Sequence, residues 1–369
     1  MSMTHKQRFL NALNRQPVDR LAWGDTLWPE TTERYVAAGQ LKPGEDPVLH
    51  FDMSWRGAGW LDSTADLDFK DQILDQTDEW KLILNGNGAS LKQWSHHSGT
   101  PEHVDFKVKE RPAWEALIKP HLLKVDRRRI DFAQYHALRD QAHKEQRAFV
   151  WGGVAPFEQM HPVCGHEYML MGMVDDPDWV LDMVMTYARF TILHLDALFA
   201  EENLPDAFWF YEDMGFKERP FMSPAMYRDL IQPGHKMLFD YAHSKGRKVI
   251  VHSCGCVEKL VPGLIEAGMD CLQAMEVKAG MDVRRLAAEF GDRLSFIGNL
   301  DIRIIGSNDR KAIDEEIESK ILPILKCGSG FIVHSDHSVP PEVDHDTLVY
   351  FFDRASRMAQ RVWPELRTS

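Results

Sequence analysis

The stretch RKVIVHSCGCVEKLVPGLIEAGMDCLQAME, residues 247–276, decides how this chain must fold. It opens on a β-branched apolar run, Val249 to Val251, of the kind that forms a buried strand. Residues 258–266 then carry apolar side chains at helical spacing, EAGMD supplies a turn, and DCLQAME begins a second β-rich run. Strand, helix and strand in that order join two parallel strands through a crossover helix.

The same unit recurs along the chain. RAFVWGG (147–153), DAFWFYED (206–213), RKVIVHSC (247–254), DCLQAME (270–276), LSFIGNL (294–300) and GFIVHSD (330–336) are all β-rich. Helical patterns follow over 177–199, 224–243, 258–266, 282–290, 310–325 and 346–361. Repeated units of this kind build either a doubly wound sheet or a closed (β/α)8 barrel. Two more strands close a barrel: RLAWGD (20–25), after a first helix over 4–13, is the candidate for one, and 47–108 must hold the other. Within that region DQILDQTDEWKLILNGNGASLKQW (71–94) places alternating apolar residues on both sides of Asn85 to Asn87, which signals a β-hairpin. The expected fold is therefore α/β, a single (β/α)8 TIM barrel over 1–369. An N-terminal helical extension occupies 1–20, and a hairpin insertion lies at about 68–95.

Composition narrows the functional classes. With 369 residues, 44% of them hydrophobic and 27% charged, the chain can bury a large core. A formal charge of -13 argues against nucleic acid or an anionic membrane as the main partner, since both need clustered Lys and Arg. MSMTHKQRFL lacks the apolar centre of a secretory signal, so a cytoplasmic protein is expected. The most apolar segment, residues 179–200, is broken by Asp182, Arg189, His194 and Asp196, which predicts an amphipathic helix instead of a membrane span. Five thinly spread cysteines form no disulfide framework and leave reduced thiols or metal ligands.

In a barrel of this type the chemistry sits at the C-terminal strand ends. Here those ends carry Glu212 and Asp213, then His252, Cys254 and Cys256, then Glu276, then Asn299 and Asp301, and last His334, Asp336 and His337. Side chains alternate along a strand, so His252 and Cys254 face the same way, a geometry that suits a metal. Zinc takes imidazole and thiolate ligands, and a catalytic zinc keeps one position open. The structural alternatives are a small buried thiol at Cys254 and a helix cap at Asp301.

HSCG after a strand, VPGLIEAGMD, AGMDVRRLAAEFGDRLSFIGNLD and HSDHSVPPEVDHDTLVYF together resemble the uroporphyrinogen decarboxylase superfamily. The similarity runs from QRFLNALNRQPVDR through GTPEHVDFKVKERPAWE and FYEDMGFKERPFMSP to the final helix. It implies a barrel with an N-terminal extension and one of two chemistries. One branch decarboxylates the acetate groups of uroporphyrinogen without a cofactor. The other uses zinc to move a methyl group from a methylated corrinoid protein to a thiol. The first branch carries two arginines in an RQAGRY-like segment; GDTLWPETTERY (24–35) keeps Arg34 before Tyr35 and lacks the other, while GNLD (298–301) and His337 match. In the second branch a His-x-Cys pair holds the metal, matched by His252 and Cys254, and its last cysteine ligand is replaced here by His337.

The resemblance thus implies zinc on His252, Cys254, His337 and Glu276, with a corrinoid as methyl donor. Glu212, Asp213 and Asp301 are the expected catalytic groups, and Arg34, Tyr211, Asn299, His334 and Asp336 the expected substrate contacts. Uroporphyrinogen-type decarboxylation or another tetrapyrrole reaction is the alternative, and corrinoid or tetrapyrrole binding without catalysis a third. The expected partners are a small-molecule substrate and a corrinoid protein, with a homodimer left open. One expectation is geometric: Glu212, His252, Cys254, Glu276, Asp301 and His337 open onto one cavity.

Overall fold

The computed structural model describes residues 2–95 and 101–366. After β1 (Trp55–Ala58) the chain forms an antiparallel group, β2 (Gln72–Gln76), β3 (Trp80–Leu84), β4 (Ala89–Trp94) and β5 (Glu102–Phe106). Then come β6 (Ala148–Val154), β7 (Ala207–Tyr211) and a short hairpin of β8 (Gly215–Phe216) and β9 (Arg219–Pro220). The last four are β10 (Lys248–Ser253), β11 (Cys271–Ala274), β12 (Ser295–Gly298) and β13 (Phe331–Ile332). All six β-rich runs expected from the sequence are strands.

Seven strands form one parallel sheet in the order β1-β6-β7-β10-β11-β12-β13. The sheet curls until both of its edges meet the segment Ala22–Gly24. On one side Val333 donates to the Ala22 carbonyl at 2.8 Å and Gly24 to the Val333 carbonyl at 3.1 Å. On the other, the Ser54 amide donates to the Trp23 carbonyl at 2.8 Å. The expected strand in RLAWGD is realised as this bridging segment, with Trp23 opposite Val333.

Alternation along each strand divides the core in two. Val150, Ala207, Trp209, Ile250, Cys271, Ile297 and Ile332 pack together inside the curl. Their neighbours Phe149, Trp151, Phe208, Phe210, Val249, Val251, Leu272 and Phe296 belong to the larger core shared with the outer helices. Helix His5–Leu13, opened by a capping box between Thr4 and Gln7, adds Phe9, Ala12 and Leu13 to the inner core. Its approach is close: a side chain on Gly330 would begin 1.7 Å from the Ala12 carbonyl oxygen.

One expectation needs correction, and one helix was not anticipated. The Asn85–Asn87 turn does join β3 to β4, but β2 and β5 flank them, so the insertion is a four-stranded sheet reaching Phe106. A single hairpin would leave its apolar face without cover, and two added strands widen it. Helix Pro156–Asp175 breaks the helical spacing because Pro162 and Gly165 lie inside it. Gly165 has φ 69°, and a Cβ there would sit 2.5 Å from the ring of Phe106. Among the described residues, no helix is long and apolar enough to cross a membrane.

Phe9 is fully buried between the helix and the inner core. Phe9→Ala is expected to lower the unfolding free energy by about 3–5 kcal/mol, measured by urea titration followed by circular dichroism.

Candidate active site

The inward-facing side chains end in a cavity of about 400 Å³ at the C-terminal ends of the strands. On one side stand His252 and Cys254, at and just past the end of β10. Cys254 Sγ lies 3.4 Å from His252 Nε2. Asp213, two residues past β7, puts Oδ1 3.3 Å from the same nitrogen and accepts the Cys254 backbone N–H at 2.8 Å. One ligand atom from each of the three lies within 4.8 Å of the others. On the far side of the ring, His252 Nδ1 is hydrogen-bonded to Gln273 Oε1 on β11.

The charges of this group are coupled. Burial disfavours the His252 imidazolium, but Asp213 and Cys254 outweigh it and push its pKa up to about 10. For Asp213, burial works against the carboxylate, and the bonds from His252 and the Cys254 amide still bring it below the usual range.

An aromatic wall faces the group. Tyr211 lies 5.1 Å from the His252 ring, Trp209 6.1 Å from Tyr211, and Trp55 5.9 Å from Trp209, all measured between centroids. His334 ends the series, stacked on Trp55 at 6.3 Å. Its Nδ1 is 2.6 Å from the Ser335 carbonyl, and Nε2 is 3.5 Å from the buried Asp25 carboxylate. Trp60 stands 5.2 Å from Tyr211 and is half exposed.

Of the residues expected at the site, the structure brings Tyr211, His252, Cys254, His334, Asp336 and His337 to the cavity, with Asp213 beside them. His337 lines it near Trp28 but lies outside the three-ligand group. Asp336 lines it too, while its oxygens accept the Val277 and Ile302 amides at 2.8 and 2.9 Å. Burial raises the Asp336 pKa against those two bonds.

The expectation of one shared cavity has to be corrected for Glu212, Glu276 and Asp301. Tyr211 faces inward, so Glu212 faces out. It is fully buried, accepting from the Phe157 and Glu158 amides at 2.9 Å each and from His235 Nε2 at 2.5 Å. The first free N–H groups of helix Pro156–Asp175 are thereby satisfied by a carboxylate from β7. Glu276 accepts the Gly255 amide at 2.9 Å and pairs with Lys278 at 2.9 Å, holding the turn that follows Cys254. Asp301 caps helix Ile302–Gly306 and pairs with Arg303 at 2.7 Å.

Two expected substrate contacts also lie elsewhere. Asn299 is buried, accepting the Val283 amide at 3.0 Å and donating to the Met281 carbonyl at 3.2 Å. Arg34 is exposed and bonds to the carbonyls of Pro341 and Val343 and to Asp344. Cys256, one of the strand-end residues, is buried, its amide donating to the Phe216 carbonyl. Gln273, Asp25 and the tryptophans of the wall were not anticipated. For Trp209 the signal was present, since it shares the parity of Tyr211.

The comparisons agree with this architecture. The profile of the uroporphyrinogen decarboxylase (URO-D) family matches residues 121–358, well over half of the chain. A methyltransferase from Methanosarcina mazei superposes with a TM-score of 0.68 over 97% of this chain and 99% of its own, at 14% identity, a likeness of fold. A Xaa-Pro dipeptidase with bound methionine aligns at a TM-score of 0.27 and 15% identity over 63% of this chain and 61% of its own, too weak to carry an argument. No curated protein matches the chain.

Two outcomes follow from the charges. Glu212→Ala leaves His235 and two amides without their acceptor and should cost about 3–5 kcal/mol of stability, read by chemical denaturation, with Glu212→Gln recovering part of it. In metal-free protein the His252 imidazole should titrate near pH 10 by NMR, and Asp213→Asn should bring the midpoint down. Because the folded pKa is raised, the stability from this pairing is complete below the pKa of an unfolded histidine. It is lost as pH rises through about 10.

Proposed function

This chain belongs to the uroporphyrinogen decarboxylase family, and from that premise we propose a zinc-dependent methyltransferase that moves a methyl group from a methylated corrinoid, carried by a partner protein, to a small thiol. Family membership supports either a methyltransferase-like or a decarboxylase-type activity. One observation favours methyl transfer: Asp213, His252 and Cys254 bring oxygen, nitrogen and sulfur donors together beside a cavity that, among the described residues, no lysine or arginine lines. A polycarboxylate such as uroporphyrinogen calls for bidentate cationic donors, and Arg34 is tied to the 341–344 segment instead. We also take the curled sheet with Ala22–Gly24 in the remaining place as a (β/α)8 barrel.

The donor set fits zinc, which accepts imidazole, thiolate and carboxylate ligands. Bound there, zinc supplies a Lewis acid that lowers the pKa of an acceptor thiol. His252 offers Nε2 to the site, and Gln273 Oε1 accepts from Nδ1–H, which fixes ring and tautomer. Asp213 holds the Cys254 amide, and Glu276 holds the next one, so the turn presenting Cys254 is fixed from both sides. His334 lines the same cavity at the other end of the aromatic wall, with Nδ1 against the Ser335 carbonyl and Nε2 facing Asp25. His337 lines the open side of the cavity, where it contacts substrate or completes the metal shell.

Zinc per chain, measured by elemental analysis on protein purified without added metal or chelator, tests this reading. Wild type should carry close to one zinc per chain. Cys254→Ser should abolish it while the thermal melt persists, since a serine hydroxyl binds zinc poorly at neutral pH and the core lies elsewhere. His337→Ala, outside the three-ligand group, should retain most of the metal. Metal-free wild type sinks methyl transfer in favour of the decarboxylase reading.

A further inference from the structure

The cavity also says what kind of molecule it accepts. Its wall is a continuous series of aromatic rings from Tyr211 through Trp209 to Trp55, with Trp60 beside Tyr211 at the exposed end. The remaining charges are acidic: Asp25 and Asp336 line the cavity, Asp213 stands beside it, and among the described residues no lysine or arginine enters the lining. Among the described residues, the basic side chains that line it are the imidazoles of His252, His334 and His337. His252 faces Asp213, and His334 faces Asp25. Trp209 is 5% exposed and forms part of the lining.

We propose that the small molecule entering this cavity carries a compact alkylated-ammonium head, held against Trp55, Trp60, Trp209 and Tyr211, with its reactive end toward Cys254. Tryptophan is the strongest π-partner for a quaternary cation, and such a head sheds its hydration more readily than a primary ammonium. A thiol with an anionic head would place that head near Asp25 and Asp336, and the one imidazolium in the lining, His252, is already paired with Asp213. A neutral head would gain the apolar contact but not the field of the carboxylates. Only the reactive end of this assignment rests on the zinc-and-thiol reading, because the pocket for the head is present without metal.

Isothermal titration calorimetry on the full chain tests the assignment. In metal-free protein choline should bind saturably and at least tenfold more tightly than 3,3-dimethylbutan-1-ol, its uncharged isostere. Trp60→Leu, at an exposed position where folding is not at stake, should weaken choline at least threefold, and Trp60→Phe should restore most of the loss. In zinc-loaded protein thiocholine should bind at least tenfold more tightly than 2-mercaptoethanesulfonate. Equal or tighter binding of the uncharged isostere, of methoxybenzene or of mercaptoethanesulfonate overturns the proposal, as does the absence of any choline binding. The two readings fail separately. Choline binding in a protein that takes up no zinc supports the head pocket and removes methyl transfer, whereas zinc uptake without choline binding does the reverse.

Discussion

Everything at the site depends on the two-residue period of the strands. On β7 and β10 that period sends Trp209, Tyr211 and His252 inward and their neighbours Phe208, Phe210 and Val251 into the helix-facing core. Its reach does not stop where the strands end. Asp213 and Cys254 continue the inward parity into the loops and so meet at His252. A one-residue slip of β7 against β10 would carry Glu212 into the cavity and Tyr211 out of it. The register that prevents the slip pairs Lys248 with Ala207 and His252 with Tyr211.

Buried carboxylates hold this arrangement in place, Glu212 and Glu276 from outside the cavity and Asp336 from its lining. Glu212, Glu276 and Asp336 each accept hydrogen bonds from backbone amides of segments distant in sequence. A carboxylate can accept from several donors at once, and a charged acceptor makes stronger bonds than a neutral one. Each therefore fastens a loop to a strand end at the level where the ligands stand. Acidic residues at strand ends are easily taken for acid–base groups, and here Glu212, Glu276 and Asp336 fix the geometry that others use.

The strands and most helices of the parallel sheet were legible because buried parallel strands are short continuous apolar runs and their covering helices keep a helical spacing. What escaped was written in another form. Helix Pro156–Asp175 hides behind Pro162 and Gly165, and the four-stranded insertion showed only its central turn. Of the site, His252 and Cys254 were readable as a pair because they are two apart in one strand. Asp213 was visible as a strand-end acid, but its place beside them depends on which strands are neighbours. Gln273 and the tryptophans depend on the same information. Glu212 was misplaced because the alternation was applied to β10 and not carried to β7.

The segment Ala22–Gly24 ties the start of the chain to β13, the last strand of the sheet. On a ribosome, the first residues needed to finish the ring emerge long before their partner is made. Until β13 arrives, the Ala22–Gly24 segment beside β1 and the outer side of β12 lack their partner, and an unpaired edge is a template for a second chain. The segment that closes the sheet thus leaves a nascent chain of this fold open to association until the residues of β13 have been made.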